Sequence, residues 1–133
     1  MTLQRESAYD TLQPVAMLET FTGFCRDVLE RYNGNERVLK DMEAQETDII
    51  HYVELSDTLK SSEAYKVYAK LRDTLRQRRD AKNENDLLLP LYECLMKNPD
   101  IVNQLNKALG TTRTKAEVIS KRKYSARTDV LEG

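Results

Sequence analysis

The chain has 133 residues, of which 32% are charged and 40% hydrophobic, with four Gly, three Pro, one His, no Trp and a net charge of -1. One domain fits this length, and the richness in Leu, Lys, Glu, Arg and Ala favours helices with large solvated faces over a thick globule. No apolar run approaches the roughly 20 residues of a membrane span, the start has no signal-peptide apolar region, and Cys25 and Cys94 show no metal or redox spacing. The expected setting is cytoplasmic, with both cysteines reduced and buried.

Residues 1–13 lack a period and read as an N-terminal arm. From Pro14, placed as a first helical residue, Leu18, Phe21, Cys25, Val28, Leu29 and Tyr32 recur at spacings of three and four and predict an amphipathic helix. In "YNGN", Gly34 is suited to closing that helix and Asn35 to capping the next. The second helix is expected over about residues 36–57, with Val38, Leu39, Met42, Ile49, Ile50 and Val53 apolar and Gln45 and Glu46 interrupting their stripe.

The segment "SDTLKSSEAY" supplies a turn, and Ser61 or Ser62 can cap a third helix. Its stripe begins with Tyr65, Tyr68, Leu71 and Leu75. The same spacing continues through the polar run "RQRRDAKNEND" to Asn85, Leu89, Tyr92 and Met96, so the run is read as the polar middle of a long helix. Pro90 predicts a kink or break near residues 86–90, with a short fourth helix over 91–97. Pro99 opens a fifth, through Ile101, Val102, Leu105 and Leu109, that Gly110 closes. Residues 111–133 then form a basic, flexible tail.

The expected fold class is all-α: a long antiparallel helical hairpin with shorter helices packed on it, one helical domain over residues 14–110, and the tail. Charge supports the hairpin. Residues 14–57 sum to -6, residues 60–82 to +5 and residues 111–133 to +3, so the acidic block can neutralise the basic one inside the fold. A reversal near residues 58–60 brings together positions whose numbers sum to about 118, placing Glu46 near Arg72 and Glu43 near Leu75 and Arg76. Polar groups within an apolar seam also fix register.

Chemistry-bearing patterns are sparse. His51 shares a helical face with Asp48 and Glu54, but a metal site would need ligands from other helices, so His51 is read as a structural histidine bonded to Glu54 or to the third helix. There is no glycine-framed serine and no phosphate-cradling glycine loop, so no catalytic residue, metal or cofactor is expected and the protein reads as non-enzymatic. The candidate partner-binding residues are Arg76, Arg78, Arg79, Lys82, His51, Glu54, Tyr65 and Tyr68. The rings of Tyr65 and Tyr68 are expected at the boundary of the core.

The partner classes are an unidentified protein and a second copy of the chain through the elongated seam; no membrane is expected. The alternative is phosphate binding to nucleic acid through Lys121, Arg122, Lys123 and Arg127, together with whatever part of the Arg76–Lys82 strip stays exposed.

The stretch "HYVELSDTLKSSEAYKVYAKLRDTLRQRRDAKNENDLLLPL", residues 51–91, carries an aromatic and a carboxylate after His51, "YKVY" at 65–68, and Arg78 and Arg79 before an acidic, leucine-rich segment. In these features it resembles small helical proteins encoded by phages and prophages of Gram-positive bacteria. The resemblance implies no activity; it implies an accessory factor that binds a host or phage protein.

Overall fold

The computed structural model describes residues 2–6 and 10–128, the side chains of Arg5, Glu6 and Tyr124 excepted. Three helices dominate: α1 (Leu12–Leu55), α2 (Ser61–Lys97) and α3 (Pro99–Lys121). They are flanked by β1 (Thr2–Glu6) and β2 (Lys123–Arg127), which pair antiparallel with Thr2 opposite Arg127 and Glu6 opposite Lys123. The fold class is all-α, as composition predicts. The chain divides into two compact units, one made of residues 1–25 and 98–133, the other of residues 26–97.

In the unit of residues 26–97, the second part of α1 and the whole of α2 form an antiparallel hairpin. Its turn spans residues 56–60, where Glu63 Oε2 accepts from the Lys60 backbone N–H at 3.4 Å as α2 begins. The buried stripe of α2 reads Val67, Leu71, Thr74, Arg78, Ala81, Asn85, Leu88, Tyr92 and Leu95, spaced alternately by four and three. Against it α1 sets Val28, Tyr32, Asn35, Leu39, Met42, Gln45, Glu46 and Ile49. This is the narrow seam of a coiled coil. Its middle is held by small and polar groups, with Thr74, Ala81 and Asn85 the most buried residues of α2.

The run "RQRRDAKNEND" is helix throughout. The cross-helix pairs Gln45–Thr74, Asn35–Asn85 and Glu43–Arg78 have numbers adding to about 120, so the register is close to the expected one. The ion pairs nevertheless differ. Arg78, not Arg76, meets Glu43, with Nε 3.7 Å from Oε1. Arg72 turns to Asp73 at 3.3 Å and lies over the Tyr68 ring, 5.7 Å from its centroid, leaving Glu46 without it. A shift of two residues along a helix turns a side chain by more than half a revolution, which moves Arg76 to the outer face.

Three expected helix ends are absent. Gly34 lies inside α1 with no positive φ, and Asn35, instead of capping a new helix, enters the seam. One interior glycine costs about 1 kcal/mol, less than burying Tyr32 and Asn35 against α2 returns. Pro90 sits inside a continuous α2. Its ring is on the exposed face, where solvent can take the carbonyl that proline leaves without a donor, while Leu88, Tyr92 and Leu95 keep the seam. The expected fourth helix is therefore the end of α2. Gly110 lies inside α3 in the same way.

The unit of residues 1–25 and 98–133 pairs the first part of α1 with α3. The buried stripe of α3 is Val102, Leu105, Leu109, Thr112, Ala116 and Ile119; that of α1 is Val15, Leu18, Thr22 and Cys25. Arg113 Nη2 donates to Glu19 Oε1 at 2.9 Å, and the β1–β2 ribbon joins the end of α3 to the start of α1, which makes the two helices antiparallel. The expected arm and flexible tail are corrected accordingly: residues 2–6 are a strand, residues 111–121 continue α3, and residues 123–127 are its partner strand. Residues 12–13 of the expected arm already belong to α1, and residues 1, 7–9 and 129–133 of the two expected segments lie outside the described residues.

A Cβ added at Gly34 meets nothing within 4 Å, so Gly34→Ala is expected to stabilise the chain by about 0.5–1 kcal/mol, read as a rise in melting temperature by circular dichroism. Truncation after residue 110 removes half of α3 and all of β2, and is expected to lower the melting temperature by more than about 8 °C.

Candidate functional site

The polar layer of the hairpin is built from five side chains. Arg31 Nε donates to Glu84 Oε1 at 2.6 Å, and Asn35 Nδ2 donates to the same oxygen and to Asn85 Oδ1, both at 2.9 Å. Asn85 Nδ2 donates to the Tyr32 carbonyl at 3.1 Å and to Glu36 Oε1 at 3.0 Å. The buried amide of Asn85 therefore has partners for both its donor and its acceptor, which makes it tolerable in a seam. One turn further out, Tyr32 and Tyr92 stack with centroids 3.9 Å apart and planes 17° apart.

Electrostatics follow from these contacts. The hydrogen bond from Arg31, then that from Asn35, hold the Glu84 carboxyl below its ordinary value of 4.5, and the same Arg31–Glu84 bond raises Arg31. Burial, then the charge of Glu36, push the Tyr32 phenol upward, so that it stays protonated. Arg78 is the least satisfied member of the seam. Its Nε is buried with no hydrogen-bond partner among the described residues, and 3.7 Å to Glu43 is an ion-pair distance rather than a hydrogen bond.

Two grooves open on the flanks of this hairpin. The first, about 340 Å³, lies near the turn between Asp48, Ile49 and Tyr52 of α1 and Glu63, Lys66, Val67 and Lys70 of α2. Its floor is apolar, and its rim carries two acidic and two basic groups. The second, about 310 Å³, lies on the opposite flank, where Leu39 and Leu89 are surrounded by Glu36, Glu43, Arg78, Lys82 and Asp86.

The residues singled out in the sequence are scattered between these features. Arg78 and Lys82 border the second groove, while Arg76 and Arg79 are exposed on the outer face of α2. His51 and Glu54 are exposed with no hydrogen bond between them among the described residues, so the expected structural role for His51 is not what forms, and Asp48 lines the first groove instead. Tyr65 and Tyr68 are 66% and 59% exposed, not ring-buried. Cys25 is buried as expected, but Cys94 is exposed.

Lys121 pairs with Glu117 at 3.2 Å at the end of α3. Arg122 closes that helix, and Lys123 and Arg127 stand exposed on β2. Among the described residues no three His, Cys, Asp or Glu side chains converge as a metal site, and no helix is long and apolar enough to cross a membrane.

Sequence reasoning missed the first groove, because it forms only when Ile49 and Val67 meet across the turn. It also missed the polar layer, because Asn35 and Asn85 lie 50 residues apart. No protein-family model, curated protein or solved structure matches the chain.

A depressed carboxyl pKa in the folded state means that the unfolded chain takes up a proton first as pH falls. The Glu84 contribution is therefore present above the unfolded value near 4.5 and is lost as pH drops through the lower folded value. The melting temperature should decline below about pH 4.5, and Glu84→Gln, less stable at neutral pH, should show a smaller decline over the same interval.

Proposed function

We propose that the chain is a non-enzymatic, all-helical interaction protein, acting in the cytoplasm as an accessory factor of the phage or prophage kind that residues 51–91 resemble. Its partner is a host or phage protein, held by an apolar side chain seated in the groove near the hairpin turn.

The observation that carries this reading is the groove itself: Ile49 and Val67 beneath Tyr52, ringed by Asp48, Glu63, Lys66 and Lys70. An apolar centre inside a charged rim is the anatomy of a protein-recognition hot spot, where a few anchors supply affinity and the rim excludes water and sets specificity. Tyr52 is half exposed, and a rigid aromatic anchor of this kind costs little side-chain entropy on binding. Exposed large apolar side chains elsewhere on the hairpin, among them Val53, Leu55, Tyr65 and Leu87, fit a surface that spends its life against other helices.

A second reading, phosphate binding to nucleic acid through Lys121, Arg122, Lys123 and Arg127, rests on the exposure of these side chains where α3 passes into β2. It predicts a salt-sensitive mobility shift with nonspecific duplex.

The test is affinity capture from host cells with the intact chain and with Tyr52→Glu/Lys66→Glu/Lys70→Glu, bound proteins being identified by mass spectrometry. The intact chain should retain a partner that the variant loses at least about tenfold, with helix content and melting temperature kept. Equal capture by both chains removes the groove from the reading; a mobility shift without any protein partner favours the second.

A further inference from the structure

On the flank of the hairpin opposite the turn groove, α2 presents Tyr68, Leu75, Lys82, Leu89 and Met96, one every seven residues. Tyr68, Leu75, Leu89 and Met96 are 59%, 41%, 37% and 56% exposed. Along the same flank α1 presents Glu36, Glu43 and Ile50, again one every seven, with Ile50 half exposed. Between the two rows lies the second groove. Residues at this spacing form a straight ridge beside the buried seam, the position from which a two-helix coiled coil recruits further helices.

The two rows carry opposite charge. The α1 row is acidic around an apolar end. The α2 row is apolar around Lys82, with exposed Arg79 beside it.

We propose that a second copy of this chain docks on this flank, with a two-fold axis parallel to the helices, so that α1 of each copy lies along α2 of the other in a four-helix bundle. The proposal rests on the reading of the chain as a helix-recognition protein but uses the flank that reading leaves free. Under this axis α1 of the second copy approaches α2 antiparallel, in the register the hairpin already uses. Ile50 then meets Tyr68, and Glu36 and Glu43 meet Arg79 and Lys82. The alternative two-fold, perpendicular to the helices with α2 against α2, sets Lys82 on Lys82 where the two rows overlap fully, which like-charge repulsion disfavours.

Area points the same way. Half-exposed aromatic and aliphatic side chains in such a row leave on the order of 500–600 Å² of apolar surface, the upper end for a lone monomer. With the charged fringe this approaches the roughly 800 Å² per partner of a standard interface.

Sedimentation equilibrium over about 1–200 µM at low salt tests the proposal. The expected result is a dimer of twice 15.4 kDa that weakens as salt rises. Leu75→Glu and, separately, Tyr68→Glu should each weaken dimerisation at least tenfold with helix content retained; Tyr68 is exposed enough that its variant folds even if the other does not. Lys82→Glu should weaken it several-fold, again with helix content retained.

The turn-groove variant Tyr52→Glu/Lys66→Glu/Lys70→Glu should dimerise normally, which separates this proposal from the groove reading. A monomer at every concentration overturns the proposal. So does a dimer indifferent to Leu75→Glu and Tyr68→Glu, or to Lys82→Glu, the last being the outcome that α2-against-α2 packing gives.

Discussion

Asn85 lies in the middle of a seam that apolar side chains would otherwise fill, and its amide is fully bonded only when α1 stands at one height against α2. Sliding either helix by a heptad would separate Asn85 from Asn35, from the Tyr32 carbonyl and from Glu36, leaving a buried amide unpaired at a cost of about 1–3 kcal/mol. It would also part Arg31 from Glu84. An Ala- and Thr-containing seam has little shape with which to choose among registers, so the polar layer chooses for it. The height of the turn follows, and with it the meeting of Ile49 and Val67 that forms the turn groove.

The same layer limits what the hairpin can bury. Two helices offer each other one narrow stripe, and here much of that stripe is Thr74, Arg78, Ala81 and Asn85 instead of leucine. Apolar residues that a thicker bundle would enclose are left beside the seam, on both flanks. Register is thereby secured by polar bonds, and apolar surface is left exposed beside the seam. The proposed recognition role draws on this division: the hydrophobic groups that give affinity to an interface are not already consumed by the fold.

Much of this was legible in the sequence, and the failures share a cause. "RQRRDAKNEND" reads as helix because Arg, Gln, Lys, Ala and Glu lose little entropy there, and the apolar period on either side continues through it. The register came out within a few residues because Gln45 and Glu46 interrupt one stripe near where the other turns polar. Local punctuation misled: Gly34, Pro90 and Gly110 each mark an end by propensity, yet Pro90 and Gly110 sit on exposed faces and Gly34 is half-buried beside the seam, and packing of the seam overrides a local cost of about 1–3 kcal/mol. The β1–β2 ribbon was invisible because its strands are weakly apolar and over a hundred residues apart. The identity of the arginine facing Glu43 depended on an angular error of one or two residues, which spacing alone does not resolve.

Arg78 belongs both to the seam and to the flank. It occupies a seam position, where its guanidinium is only partly exposed and its Nε unbonded, and it borders the flank groove beside Glu43 and Lys82. A hydrophobic residue there would pack the seam better, since a half-satisfied buried cation is weak evidence for stability. Kept in place, the charge makes the α2 side of the flank more basic and keeps Glu43 turned toward it. The isolated hairpin is then less well packed at this level than it could be, and in the proposed dimer an acidic row approaching from outside would add charge compensation at the exposed part of the guanidinium, beside its ion pair with Glu43.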